Sequence, residues 1–222
     1  KSGGAGTVST MLGGAQLVES GGTGAVSIMN DGEQNIYSGG SGTVVTMNSG
    51  GQYITSGTGT VSTMSGGMQD ISSGTGTIST MLGGAQLVES GGSGIVSTLS
   101  GGTQIIVEQG SGTVSAMNGG TQMISSGGIG TVSTVSGGMQ EIVSGTGMIS
   151  TMNSGMQNIR AGGTGTVSTL SGGSQSIAGG GTGTVDIMSG GMQDISSGGT
   201  GTVNTMSGGG QRISSGIGTV ST

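Results

Sequence analysis

Serine hydroxyls recur at one position along this 222-residue chain, four residues after a regularly spaced glutamine. They stand directly before one or two glycines, and Glu108, Ala161 and Gly179 replace serine in three repeats. We call them the corner serines: Ser20, Ser38, Ser56, Ser73, Ser90, Ser126, Ser144, Ser197 and Ser215. A hydroxyl that projects from a corner can accept an O-linked sugar, but serine also suits turns in general. The spacing alone leaves both interpretations open.

A second set of hydroxyls flanks a recurring valine, in Thr–x–Ser pairs such as Thr60 and Ser62. Residues two apart in a strand point to the same face, so stacked pairs would form a grid of hydroxyl groups. Such a grid predicts, as an alternative function, a hydroxyl-grid ice-binding β-solenoid. Two features weigh against this alternative: serine lacks the methyl group of a second threonine, and Ile95 and Met148 interrupt the grid.

The composition excludes most enzymatic and metal-binding chemistry. The chain has no His and no Cys, which removes the usual zinc ligands, thiol nucleophiles and histidine proton relays. Its 9 acidic residues do not recur as pairs, as a glycosidase would require, and they cannot supply calcium to each repeat. The 3 basic residues cannot neutralise a run of phosphates. We therefore expect no enzymatic activity, no metal, no cofactor and no nucleic-acid partner.

An internal repeat predicts the elements that position the hydroxyls. An aliphatic residue recurs at intervals of 17 or 18 residues, from Val8 and Val26 to Val220. A Gln follows it by eight residues, and Val or Ile follows the Gln by two. One such unit buries too little apolar surface to offset the entropy of ordering its chain, so the units must stack. The pattern predicts an all-β fold, a right-handed parallel β-helix (solenoid) of about twelve 17–18-residue rungs, and a single domain over residues 1–222.

Stacking turns each repeat position into a column of residues. Three residues after the valine, only Met, Leu or Val occur, so we expect this column in the core, where unbranched Met fills irregular gaps. Each glutamine shares a strand face with the aliphatic residue two positions later, so its amide should also point inward. Stacked amides can hydrogen-bond to one another, which favours a structural ladder over a surface row of ligand-binding amides. The predicted ladder consists of Gln16, Gln34, Gln52, Gln69, Gln86, Gln104, Gln122, Gln140, Gln157, Gln175, Gln193 and Gln211.

The period, the phrase "SGG…Q-x-I-x-SGG" and the bias towards Ser, Gly and Thr resemble a known family across all 222 residues. They resemble the passenger repeats of the AIDA-type self-associating autotransporters of Gram-negative bacteria. The resemblance implies export through the inner membrane and an outer-membrane barrel, followed by display on the cell surface or release as a secreted passenger. Because the chain has no signal peptide, no barrel segment and no capping rungs, we expect a fragment of a longer passenger.

The resemblance also implies a function and its partners. A dedicated heptosyltransferase would add heptose to passenger hydroxyls in the cytoplasm before export, and the corner serines match such acceptors. Covalent heptose is therefore expected on them. The displayed passenger would mediate host-cell adhesion and invasion, bacterial autoaggregation and biofilm formation. Its expected partners are the heptosyltransferase, the host-cell surface and like passengers.

Overall fold

The computed structural model describes residues 3–221, and every regular element in this range is a β-strand. The chain forms a parallel β-solenoid of about twelve turns, about 18 residues apart. Its contacts define two compact units: the first ends at Thr113 and the second begins at Val114. The all-β solenoid expected from the repeat is confirmed, whereas a single domain over residues 1–222 stays a prediction.

Strands of five to eight residues that contain the recurring valine alternate with shorter strands that contain the glutamine, after two initial strands that contain both. The first unit contains β1 Ala5–Val18, β2 Thr23–Ile36, β3 Ser41–Met47, β4 Gly51–Ile54, β5 Gly57–Met64, β6 Met68–Ile71, β7 Gly74–Met81, β8 Ala85–Val88, β9 Gly92–Leu99 and β10 Thr103–Ile106. The division between the units falls within β11 Ser111–Met117. The second unit continues with β12 Thr121–Ser125, β13 Ile129–Val135, β14 Met139–Val143, β15 Thr146–Met152, β16 Met156–Arg160, β17 Thr164–Leu170, β18 Ser174–Ile177, β19 Thr182–Met188, β20 Met192–Ile195, β21 Gly199–Met206, β22 Gly210–Ile213 and β23 Gly216–Val220.

Within each unit, a strand pairs in parallel with the equivalent strand of the next repeat, and equivalent residues lie side by side. In the first unit, β3 and β5 place Val44 beside Val61 and Met47 beside Met64. In the second unit, β17 pairs with β19 and β18 with β20 in the same manner. The one-residue differences in repeat length fall in the links between strands, so the register of the paired residues is kept.

Three aliphatic columns fill the interior of each unit. The valine, methionine and isoleucine positions of one repeat, such as Val44, Met47 and Ile54, are between 0% and 1% exposed. The methionine position is therefore core, which confirms the expectation from its apolar substitutions. The core of each rung thus consists of small aliphatic and thioether side chains, with a glutamine as its one polar member.

Glycine is needed at two positions of the repeat for different physical reasons. Gly191, two residues before a glutamine, has a φ of 73°, and a Cβ there would lie 2.7 Å from the backbone oxygen of Gly173. Gly183, two residues before a valine, faces inward: a Cβ there would lie 2.8 Å from Oε1 of Gln175 and would overlap the side chain of Ile177. The first position therefore requires a left-handed backbone, whereas the second requires space beside the core.

Candidate functional site

The glutamine amides lie in the interior and form one ladder within each unit. All of them except the first and last, Gln16 and Gln211, have no exposed surface. Within each unit, the amide nitrogen of every glutamine after the first donates to Oε1 of the glutamine one rung earlier, at 2.6–2.7 Å. Nε2 of Gln175 also lies 3.3 Å from the backbone oxygens of Gly165 and Thr184. The fully buried amides support the fold and present no polar atom to a ligand outside.

The corner serines lie at the turns that follow the glutamine strands. Eight of the nine are exposed, and Ser73 is half-buried. Where two glycines follow, the nitrogen of the second glycine donates across the turn, as from Gly199 to the oxygen of Ser196 at 2.9 Å. The hydroxyl of Ser144 donates to the backbone oxygen of Ala161 at 2.7 Å. The corner position therefore offers an accessible hydroxyl in about two of every three repeats, outside the paired strands.

The turns in which two glycines follow the corner serine are of two kinds. At Ser38 only the following Gly39 has a positive φ, of 73°, as in a type II turn. At Ser197 the serine itself has a φ of 47° and Gly198 has a φ of 77°, as in a type I′ turn. Ser126 adopts the same left-handed conformation as Ser197, with a φ of 50°. The phrase "SGG" is the same in both kinds of turn, so the sequence pattern does not distinguish them.

The hydroxyls on the valine strands are arranged differently from the expected Thr–x–Ser pairs. Val61 pairs with Ile78 and Thr63 pairs with Thr80, so the register is the same on both sides of Ser62, which is itself not one of the paired residues. Instead, Thr58 and Thr60 lie within the paired part of the strand on either side of Gly59, whose position is buried. The regular hydroxyl face of the valine strands is therefore Thr–Gly–Thr, a pattern whose alternation was visible in the sequence.

Charged groups are few and do not converge. The carboxylate of Glu141 lies 3.6 Å from the guanidinium of Arg160 on the outer face of the glutamine strands. Asp70 occupies the same column as Glu141, and its Oδ1 is buried without a hydrogen-bond partner among the described residues. Burial raises the pKa of Asp70 above its usual range because desolvation disfavours the charged carboxylate. Within residues 3–221, no three His, Cys, Asp or Glu side chains lie together.

The exposed column and the all-strand solenoid can be compared with known proteins. No family model and no curated protein matches the chain. A solved structure does match it: the crystal structure of a hyper-glycosylated TibA fragment, glycosylated by TibC catalysis. The two chains align with a TM-score of 0.55 and 26% sequence identity, over 98% of this chain and 99% of the fragment. The repeats of this chain are TibA-like autotransporter passenger repeats.

The TibA-like character confirms the resemblance to AIDA-type passengers that the repeat phrases indicate. The alignment covers nearly the whole of both chains, so the likeness belongs to the array of repeats and is not confined to one segment. Residues 3–221 contain no helix that is long and apolar enough to cross a membrane.

Proposed function

We propose that the chain is a non-enzymatic adhesin passenger, displayed on the bacterial surface or secreted, that carries O-linked heptose on its corner serines. The observation that supports this most directly is the likeness, across 98% of the chain, to a passenger fragment that is itself hyper-glycosylated. A heptosyltransferase would supply the catalytic groups. The chain supplies only a hydroxyl, whose oxygen bonds to the anomeric carbon of an activated heptose as the leaving group departs and the hydroxyl proton is lost.

The corner serines suit this role better than other hydroxyls because of their surroundings. Eight of them are exposed and Ser73 is half-buried. None of the nine lies within a paired strand. A sugar on a turn leaves the strand hydrogen bonds and the aliphatic core in place. Nine acceptors in one chain would cover the corner of the solenoid with neutral hydroxyl groups.

The proposed role in host-cell adhesion and invasion, autoaggregation and biofilm formation follows from repetition of weak contacts. Tyr is the only aromatic residue type present, and it occurs twice, so the surface lacks the aromatic anchors of a high-affinity interface. Many weak hydroxyl contacts along one chain can nevertheless act together, because linked sites multiply their affinities. The partners of this proposal are the heptosyltransferase, the host-cell surface and other copies of the passenger.

The modification is tested by expressing the chain with and without TibC and measuring its intact mass. We expect a series of masses separated by one heptose residue only when TibC is present, and fragmentation should assign the sugars to the corner serines. A variant with all nine corner serines changed to alanine should lose most of the added mass. An unchanged mass with TibC would contradict heptosylation, and a nine-alanine variant that kept most of the added mass would contradict the corner assignment.

The matched control changes nine serines that directly follow the valine column, most of them also exposed, to alanine. These are Ser9, Ser27, Ser62, Ser79, Ser97, Ser115, Ser133, Ser150 and Ser168. Cells that display the control variant should still aggregate and adhere, whereas cells that display the corner variant should not. Equal adhesion by both variants would separate adhesion from glycosylation and contradict the proposed mechanism.

A further inference from the structure

The Thr–Gly–Thr phrases of the valine strands stack into an array in the second unit. The valine strands of three successive repeats, β17, β19 and β21, contribute one pair each. The pairs are Thr164 and Thr166, Thr182 and Thr184, and Thr200 and Thr202. Parallel pairing places Thr164 beside Thr182 and Thr182 beside Thr200, and it aligns the second threonine of each pair in the same way. We call these six residues the threonine array.

The array leaves its polar groups available. Thr164 and Thr182 are exposed and the other four threonines are half-buried. Across the described structure, the hydroxyls of these six threonines form no hydrogen bond with the chain, and each therefore remains free for water or a ligand. Threonine is β-branched and has few allowed rotamers, so neighbouring threonines hold one another's hydroxyl and methyl groups in place.

The first unit has an equivalent array with one serine. Its pairs are Ser41 and Thr43, Thr58 and Thr60, and Thr75 and Thr77, on β3, β5 and β7. Here too, equivalent residues lie side by side in parallel register. The same kind of surface therefore occurs once in each unit.

The residue types at the two threonine positions of the repeat limit the kinds of ligand that can bind there. No charged residue occurs at either position in any repeat of the chain, so a lipid headgroup, a nucleic acid or a charged peptide finds no counter-charge. No aromatic residue occurs there either, so the columns lack the anchors of a high-affinity protein or sugar interface. What the columns do offer is a neutral lattice of alternating hydroxyl and methyl groups.

The spacing of this lattice favours ordered water. Neighbouring strands lie about 4.8 Å apart, and residues two apart in a strand are separated by about 6.6 Å. Rows of oxygen atoms in an ice surface repeat over distances of this size. Methyl groups order the water around them, and hydroxyls fix that water by hydrogen bonds. We propose that the threonine array and its first-unit equivalent bind an ice surface.

This inference differs from the Thr–x–Ser grid considered from the sequence. The absence of a second methyl group weighed against that grid, but the structure pairs each threonine with another threonine, across a glycine. The interruptions at Ile95 and Met148 lie outside both arrays of three strands. Ice binding does not depend on glycosylation of the corner serines, so the two proposals can fail separately.

The test uses the full chain produced without a glycosyltransferase. We expect micromolar protein to inhibit ice recrystallisation and to show thermal hysteresis. The variant Thr60→Lys with Thr184→Lys places a long charged side chain at the centre of both arrays and should lower the inhibition at least tenfold. The matched control, Thr55→Lys with Thr205→Lys, makes the same change at exposed threonines outside the arrays and should retain it.

A milder pair, Thr60→Ser with Thr184→Ser, keeps the hydroxyls and removes only two methyl groups. It should keep the circular dichroism spectrum of the original chain and still lower the inhibition, which gives a readout if the lysine variant does not fold. An inactive original chain would overturn the proposal. It would also be overturned if the serine pair had no effect, or if the control lost as much inhibition as the array variant.

Discussion

At the scale of single residues, each buried glutamine amide depends on its neighbours along the ladder. Gln175 donates to Oε1 of Gln157 and accepts from Nε2 of Gln193, both at 2.7 Å. Gln175→Leu keeps a similar volume but removes the donor to Oε1 of Gln157. It also leaves Nε2 of Gln193 only its longer contacts with the backbone oxygens of Gly183 and Thr202. We expect this change to lower the free energy of unfolding by about 2–4 kcal/mol, measured by urea unfolding.

The matched control for this prediction is Gln211→Leu. Gln211 is half-buried and ends the series of glutamines in the second unit, so within the ladder its removal affects only the acceptor of Gln193. Its cost should be about 1 kcal/mol. Equal losses for the two variants would show that the number of ladder hydrogen bonds removed does not determine the cost.

A second residue-scale prediction concerns Asp70, whose Oδ1 is buried and unpartnered among the described residues. Burial raises the pKa of this carboxyl, so the folded chain holds its proton more tightly than the unfolded chain does. The stability contributed by this proton is present in acid and is lost as the pH rises through the raised pKa. Asp70→Asn, which is neutral at every pH, should therefore raise the unfolding midpoint at about pH 7.

This advantage should disappear below about pH 4, the ordinary pKa of an unfolded aspartate. The measurement is the unfolding midpoint of both chains across this pH range. Asp194→Asn, in the same column of the second unit, controls for the loss of one negative charge. A constant difference between Asp70→Asn and the original chain at every pH would contradict the role assigned to burial.

At the scale of elements, the corner turns offer a prediction with a natural precedent. Ser197 has a φ of 47°, and the same column contains Gly179 with a φ of 55°. A left-handed backbone costs a residue with a side chain about 1–2 kcal/mol, and the entropic cost of glycine offsets part of this. Ser197→Gly should therefore stabilise the chain by about 0.5 kcal/mol in urea unfolding.

Ser38→Gly makes the same change at a turn where the serine has a negative φ. There the glycine brings only its entropic cost, so we expect a loss of about 0.5–1 kcal/mol. Opposite signs at the two turns are the expected result. If both variants shift the midpoint in the same direction, the backbone conformation is not what distinguishes the turns.

The sequence predicts the strand elements well because their constraints recur in every repeat. Val44, Met47 and Ile54 belong to columns that tolerate only aliphatic or Met residues, and the structure buries all three. The inward direction of the glutamines follows from their spacing to the isoleucines. In contrast, Ser126 and Ser197 have a positive φ and Ser38 does not, although all three share the phrase "SGG".

The surface was harder to predict than the core. The alternation of side chains along a strand predicts that Thr60 and Ser62 form a pair on one face. In the structure, Thr60 is one of the paired residues of the strand and Ser62 is not. The half-burial of Ser73 and the unpartnered oxygen of Asp70 depend on neighbouring rungs, which differ in sequence at exposed positions. Only the structure brings those neighbours together.

At the scale of the whole molecule, repetition links the fold to the proposed function. A column that is buried can vary little, because an unsuitable side chain disturbs the rungs on both sides. A column at a corner can vary, as Glu108, Ala161 and Gly179 show among the corner serines. If adhesion depends on the number of corner serines, the loss of one serine should change it little, whereas the loss of many should abolish it.

The last prediction tests this dependence on number. Variants that keep nine, six or three corner serines, with alanine at the others, should carry sugar in proportion when expressed with TibC. Aggregation of cells that display them should fall more steeply than the sugar count, because the affinities of linked sites multiply. Intact mass gives the sugar count, and the settling rate of cell suspensions gives the aggregation. A settling rate that falls in simple proportion to the sugar count would show that the sugars act independently, and the multivalent mechanism would then be wrong.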